Sequence, residues 1–266
     1  MDFGYIASGF MVGLLVGVTG VGGGSLMTPL LVFLFGFKPA VAVGTDLLFA
    51  AITKSGGVLV HHSHHKSVEW RIVGLLAAGS LPAALVTLYA LNHVTRIGRD
   101  ITPIITFALG IALILTALAL FFRAWAQKAG RSGDAGIDPD ENPPQRFSHL
   151  QAPATVAVGV VLGVLVTLSS VGAGALGTVA LLFLYPRMPT LKIVGTDIAH
   201  AIPLTAIGGF GHWHMGAVDF TLLGSLLIGS LPGIWIGSHL SSRIPEKFLR
   251  PILASVLMLI GLKFVL

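Results

Sequence analysis

The sequence contains the same unit twice, at an offset of about 150 residues. The repeat includes a glycine-rich stretch, a Gly-Thr-Asp motif and a Gly-Ser-Leu-Pro motif, in the same order in both halves. Each copy is therefore expected to adopt the same local structure and to pack against the other. The matched positions include Val21-Gly22 with Val171-Gly172, Gly24 with Gly174, Gly44-Thr45-Asp46 with Gly195-Thr196-Asp197, and Gly79-Ser80-Leu81-Pro82 with Gly229-Ser230-Leu231-Pro232.

Each unit holds four long apolar segments. The composition indicates lipid as the solvent, since 54% of the 266 residues are hydrophobic and only 10% are charged. Most segments are about as long as one helical crossing of a hydrocarbon core, which is roughly 30 Å thick. The sequence therefore predicts an all-α, polytopic membrane protein. The segments are residues 3–37, 39–60, 70–91 and 101–122, followed by 152–186, 190–211, 218–240 and 248–266.

A polar stretch rich in Asp, Glu and Pro separates the two units. It is too polar to bury a core, so we interpret it as a solvated linker. Three regions are predicted: a first transmembrane repeat at residues 1–123, a linker at 124–151 and a second transmembrane repeat at 152–266.

The first apolar segment of each unit is too long for one straight crossing. Residues 3–37 carry no charge, and 35 residues in one helix would extend about 52 Å, far beyond the bilayer core. Helix propensity is lowest at the glycine-rich residues 19–25 and at the equivalent residues 169–175. We therefore predict that each segment is a broken helical hairpin that enters and leaves the membrane on the same face.

The hairpin prediction has a consequence for the distribution of charge. A hairpin followed by three crossings inverts the second unit, and the lysines and arginines outside the membrane then divide 11 to 4 between the two faces. Single crossings would divide them 8 to 7, which obeys no orientation rule. We therefore predict two inverted repeats in a bacterial inner membrane, with both termini on the periplasmic or external side and the linker in the cytoplasm.

The glycine-rich breaks are candidate sites for an anionic substrate. A helix that restarts after a break directs its free N–H groups and its positive dipole end toward whatever lies in front of it. Close packing of helices is the alternative reason for glycine at these positions. The candidate substrate-binding residues are Gly22, Gly23, Gly24, Ser25, Gly172, Ala173, Gly174 and Ala175, together with the intramembrane cation Lys54.

Ionisable residues inside a membrane are costly and are functional candidates by default. Asp46 and Asp197 occupy equivalent places, each after a threonine, Thr45 and Thr196. A gating or ion-coupling role and a structural role remain open for these four residues. His200 lies one turn after Asp197, where it could relay a proton or hydrogen-bond between helices.

Other functions are less well supported by the sequence. Scattered basic residues do not form the patch that nucleic-acid binding requires, and there is no cysteine to ligate a metal or act as a nucleophile. The histidine run at residues 61–65 and the pair His212 and His214 lie at the ends of crossings on opposite predicted faces, so no metal site is predicted. A metal permease and an intramembrane enzyme that uses Asp46 and Asp197 remain as alternatives, and no cofactor is expected.

Two motifs stand out in the first half: Gly20-Val21-Gly22-Gly23-Gly24-Ser25-Leu26 with Pro29, and Ala42-Val43-Gly44-Thr45-Asp46. Degenerate second copies lie at Gly172-Ala173-Gly174 and Gly195-Thr196-Asp197. These motifs resemble those of the TauE/SafE sulfite exporter family. The resemblance spans almost the whole chain and implies a permease for small sulfur-containing anions such as sulfite or organosulfonates. The expected function is thus a secondary transporter of a small anion, working by alternating access, with export implied by the resemblance alone. The coupling ion, a proton or sodium, and the oligomeric state are left open.

Overall fold

The computed structural model describes residues 3–19, 24–65, 68–130, 148–241 and 246–266, and within these ranges the chain is helical, with no strand. This confirms the predicted all-α polytopic fold. The helices are α1 (Phe3–Thr19), α2 (Gly24–Phe35), α3 (Pro39–His65), α4 (Trp70–Arg96), α5 (Thr102–Gly130), α6 (Ser148–Ser169), α7 (Ala175–Leu184), α8 (Thr190–His214), α9 (Phe220–Ser241) and α10 (Glu246–Val265).

At least five of these helices are long and apolar enough to cross a membrane: α4, α5 as far as Phe122, α6 from Leu150, α8, and α9 as far as Gly237. Helix α5 begins after Asp100, whose carboxylate accepts a hydrogen bond from the Thr102 amide at 2.9 Å. This bond lowers the pKa of Asp100, which lies outside the crossings. Helices α5 and α6 extend into the predicted linker from both ends, and residues 131–147 lie outside the described residues.

The chain turns back on itself at the predicted break in the second half. Helix α6 ends at Ser169 and α7 begins at Ala175, and between them Ser170 and Gly172 have positive φ angles of 59° and 116°. The Gln151 side chain, at the start of α6, donates to the Leu184 carbonyl at the end of α7 at 3.1 Å. The start of α6 therefore lies beside the end of α7, and the two helices form an antiparallel hairpin.

The first half turns back in the same way. Tyr5, near the start of α1, packs its ring against Phe35 at the end of α2, with ring centroids 6.2 Å apart, and against Phe37 at 5.6 Å. The break itself, residues 20–23, lies outside the described part of the chain. Both ends of this hairpin nevertheless lie together, as predicted for an element that enters and leaves on one face.

Each hairpin packs against the opposite half of the molecule through glycines. Helix α1 lies along α9, where a Cβ on Gly9 or Gly229 would collide with the Leu226 or Ile6 backbone. Helix α6 lies along α4, where a Cβ on Gly159 would collide with the Leu76 backbone. Close helix approach therefore explains glycine at these positions. At the centre α3 packs against α8, and α5 packs against α10.

Candidate functional site

Two carboxyl groups lie at the centre of the molecule, where α3 meets α8. Asp46 is 0% exposed and Asp197 is 1% exposed. The hydroxyl of Thr28, on α2, donates to Asp46 Oδ2 at 2.5 Å. The hydroxyl of Thr178, on α7, lies 3.0 Å from Asp197 Oδ2 and also 2.5 Å from the Gly174 carbonyl, so its one proton is shared between these two acceptors. Each aspartate is therefore hydrogen-bonded to the returning arm of its own hairpin.

The threonines that precede the aspartates contact the other half of the chain. The Thr45 hydroxyl accepts a hydrogen bond from the backbone N–H of Asp219, just before α9, at 3.0 Å. The Thr196 hydroxyl accepts the equivalent bond from the backbone N–H of Glu69, just before α4, also at 3.0 Å. Thr45 and Thr196 thus fix the two halves to each other near the helix ends, and their role in gating stays a prediction.

Lys54 joins α3 to the break in the second half. Its half-buried side chain donates from Nζ to the Ala173 carbonyl at 2.9 Å. The ammonium group is also close enough to Asp197 and Asp46 to attract both carboxylates. The structure therefore brings together three predicted groups: the cation, the break of the second half and the aspartate pair.

The start of α7 is less open than the sequence suggested. The Leu176 and Gly177 amides both donate to the Gly172 carbonyl, at 3.1 and 3.3 Å. Two N–H groups that a bound anion could have used are therefore engaged within the chain, and Gly174, the residue that precedes the helix, has a φ of 130°.

His200 hydrogen-bonds to a neighbouring helix. Its Nε2 lies 2.7 Å from the hydroxyl of Ser80 on α4, and its ring is close enough to Lys54 for the two to interact electrostatically. His212, further along α8, has Nε2 2.9 Å from the Thr167 carbonyl. Both histidines bridge α8 to another helix, so the helix-packing role that the sequence left open for His200 is observed.

Several buried polar atoms near the centre have no hydrogen-bond partner among the described residues. They include the second carboxylate oxygen of each aspartate. Atoms of this kind need an explanation, such as water, a proton or a ligand, because burying an unpaired polar group is costly. They are Asp46 Oδ1, Asp197 Oδ1, Ser170 Oγ, His200 Nδ1 and His212 Nδ1.

Some predicted site residues cannot be placed in this cluster. Gly22 and Gly23 lie outside the described residues; Gly24 and Ser25 begin α2, but the surroundings of their side chains are not described. The side chains of residues 61–65 are likewise not described. Within the described part of the chain, no group of three or more His, Asp or Glu residues is arranged to hold a metal ion.

Sequence reasoning missed several residues that complete the centre. Thr28 and Thr178 are matched at the repeat offset, so their recurrence one helix before the aspartates was a usable signal. Ser80 and Ser170 gave no such signal. Ser80 repeats as Ser230, but within a Gly-Ser-Leu-Pro motif that is typical of helix packing. Ser170 has no serine at the equivalent position of the first half, which is Gly20.

Comparison with known proteins agrees with this architecture. The family described as "Sulfite exporter TauE/SafE" matches residues 5–264. The "Probable membrane transporter protein YjnA" of Bacillus subtilis is 39% identical over 265 residues, and the alignment covers 100% of this chain and 100% of the relative. The "Probable membrane transporter protein YdhB" of the same organism is 26% identical, over 94% of this chain and 97% of the relative.

A "Probable membrane transporter protein" of Xylella fastidiosa is 28% identical over 90% of this chain and 84% of its own length. No solved structure matches the chain significantly. Because the family match extends over nearly every described helix, the chain belongs to the TauE/SafE sulfite exporter family of membrane transporters.

Proposed function

We propose that this protein is a secondary transporter of a small sulfur-containing anion, with sulfite as the first candidate, and that it exports this anion by alternating access. The family name supports the substrate class. The observation that carries the proposal is the position of Lys54, whose ammonium group lies at the break of a membrane hairpin and contacts the Ala173 carbonyl. A positive charge in a hydrocarbon interior is costly and is retained where it binds something.

The substrate would lie between Lys54 and the two breaks, with the glycines leaving room for its oxygens. Gly172, Ala173, Gly174 and Ala175 would line it from one half, and Gly22, Gly23, Gly24 and Ser25 from the other. This two-sided arrangement suits alternating access, because a small movement of one half against the other exposes the same site to either side. Thr45 and Thr196, which bind the opposite half, would act as the contacts that break and re-form.

We further propose that the two halves are inverted in the membrane, with both termini outside the cytoplasm. Contacts between residues predicted to share a face support this orientation. At the predicted cytoplasmic face, Lys192 forms a salt bridge with Glu69, and Phe122 packs against Phe183 with ring centroids 4.8 Å apart. At the opposite face, Lys263 lies 4.7 Å from the ring centroid of Phe33.

Purified protein in proteoliposomes tests the transport proposal. Flux of sulfite, sulfate, thiosulfate and an alkanesulfonate should be compared for the wild type, Lys54→Ala and the matched control Lys263→Ala, whose lysine lies at a helix end. We expect sulfite or sulfonate flux that Lys54→Ala abolishes and Lys263→Ala preserves. Undiminished flux in Lys54→Ala would remove this lysine from the site, and no flux of any of these anions would refute the substrate class.

A further inference from the structure

The two central aspartates are equivalent in sequence but differ in their surroundings. We propose that Asp46 carries a proton that binds together with the anion, whereas Asp197 stays ionised as the fixed partner of Lys54. This assignment rests on the proposed function for its statement that the substrate is an anion. It identifies the coupling ion as a proton and gives different roles to two residues at equivalent positions of the repeat.

Charge balance requires a proton when the anion is bound. Lys54 supplies one positive charge beside the two carboxyl groups. If both were ionised, the cluster would have one excess negative charge, and an anion beside Lys54 would add a second. Excess charge in a membrane interior is strongly unfavourable. Protonation of one carboxyl group removes one of the two excess negative charges and weakens the repulsion, so anion and proton binding favour each other.

Asp46 has a partner suited to gaining and losing a proton. The Ser170 side chain, in the break of the second half, faces the Asp46 carboxyl group. Ser170 Oγ and Asp46 Oδ1 are both buried, and neither has a hydrogen-bond partner among the described residues. A hydroxyl can donate to an ionised carboxylate and accept from a protonated one, so this pair serves both states. Ser170 also lies three residues from Ala173, which binds Lys54.

Asp197 is better placed to remain ionised. Lys54, whose Nζ donates to the Ala173 carbonyl just before the start of α7, interacts electrostatically with Asp197. Its Oδ2 accepts from Thr178, while its Oδ1 lies directly against Gly177, where a Cβ would collide with it. Among the described residues, Thr178 is the hydroxyl that faces Asp197, whereas Thr28 and Ser170 both face Asp46.

Two buried histidines lie on α8; His200 interacts electrostatically with Lys54, and Nε2 of each ring is hydrogen-bonded. His200 shares a hydrogen bond with Ser80, and His212 with the Thr167 carbonyl. On α3, Lys54 is the charged group that faces both aspartates, and α2 and α7 contribute the hydroxyls of Thr28 and Thr178. The proton is therefore assigned to the carboxyl group rather than to an imidazole.

Infrared spectroscopy of the reconstituted protein tests the assignment without any substrate. At about pH 6, exposed carboxyl groups are ionised, so a carbonyl stretch of a protonated acid reports a buried one. We expect this band in the wild type and its loss in Asp46→Asn. In Asp197→Asn, Asp46 becomes the only carboxyl group that balances Lys54, so the pH midpoint of the band should fall. A band that persists in Asp46→Asn, an unchanged midpoint in Asp197→Asn, or no band in the wild type would overturn the proposal. If Asp46→Asn does not fold, Ser170→Ala replaces it and should shift the pH midpoint of the band.

Transport of sulfite into proteoliposomes supplies the second test. An acidic exterior should stimulate wild-type uptake about 5-fold or more, within the usual range of coupling between two bound ligands. Asp46→Asn should lose the stimulation, so that its remaining sulfite flux no longer depends on the pH of the exterior. Stimulation that survives in Asp46→Asn would contradict the proton role. An absence of wild-type flux with every anion tested would contradict the transport proposal. The infrared experiment would still test the proton assignment, because it needs no substrate.

Discussion

Helices α3 and α8 are equivalent in the repeat, yet they bring different chemistry to the same centre. Both present a Thr-Asp pair, with the aspartate bound to a threonine of its own hairpin. At the centre, α3 carries an amine, Lys54, where the equivalent residue of α8 is Thr205, whose hydroxyl donates to the Ala201 carbonyl within the same helix. The two halves therefore share one scaffold but carry different chemical groups on it.

The largest expected effect comes from making α3 resemble α8. Lys54→Thr installs the residue found at the equivalent place in the other half. The variant loses the hydrogen bond from the ammonium group to the Ala173 carbonyl. Hydrogen bonds to charged groups contribute about 1.5–3 kcal/mol, so sulfite flux in proteoliposomes should fall by about 10- to 100-fold. Thr205→Ala, which changes the equivalent residue, is the control and should transport normally. Equal losses in both variants would show that the lysine has no special role.

The next prediction concerns the packing around Asp197. Gly177→Ala places a methyl group where the Asp197 carboxylate lies, so the free energy of unfolding in detergent should fall by about 1–3 kcal/mol. Gly74→Ala is the matched control, because a Cβ at Gly74 meets nothing within 4 Å. Thermal unfolding of both variants checks this. A Gly177→Ala protein as stable as the wild type would mean that Asp197 is free to move.

The two threonine–aspartate hydrogen bonds test which of the two carboxyl groups is ionised. Thr178→Val removes a hydroxyl from an aspartate that we propose is ionised, and hydrogen bonds to charged groups contribute about 1.5–3 kcal/mol. Thr28→Val removes the equivalent hydroxyl from Asp46, which we propose takes up a proton, and should cost about 0.5–1.5 kcal/mol. Chemical denaturation at about pH 6 measures both. A larger loss in Thr28→Val would reverse the proposed roles.

The smallest effect is expected at the helix ends. Lys192 pairs with Glu69, and both side chains are substantially exposed, at 43% and 40%, so Glu69→Gln should change stability by less than about 1 kcal/mol. Asp219, the equivalent of Glu69, instead accepts from the Leu222 amide at 2.9 Å. Asp219→Asn retains a capping oxygen and should be nearly neutral. Melting curves at low and high salt test this, because only the Glu69 variant should lose its effect in salt.

The hairpins could be predicted from the sequence because their cause is local. A run of 35 uncharged residues cannot cross the membrane straight, and glycine marks where the helix stops. The close-packed glycines of α1 and α9 were predictable for the same reason, since small residues at helical spacing indicate a packing surface.

The contacts of the site were less predictable because they depend on packing between distant segments. Nothing local to Lys54 specifies that it reaches Ala173, which is 119 residues away. Ser170 faces Asp46 only because the break of one half lies against α3 of the other. The engagement of the Leu176 and Gly177 amides with Gly172 depends on the exact backbone path of the break, which composition does not determine.

Cysteine accessibility measures the central claim directly, since the chain has no cysteine of its own. Single cysteines at Gly4 and Lys38 flank the first hairpin, and those at Leu150 and Arg187 flank the second. With a membrane-impermeant maleimide on intact cells, inverted hairpins predict labelling of Gly4→Cys and Lys38→Cys, and protection of Leu150→Cys and Arg187→Cys until the cells are permeabilised. Opposite labelling within either pair would mean that the segment crosses the membrane and is not a hairpin that enters and leaves on one face.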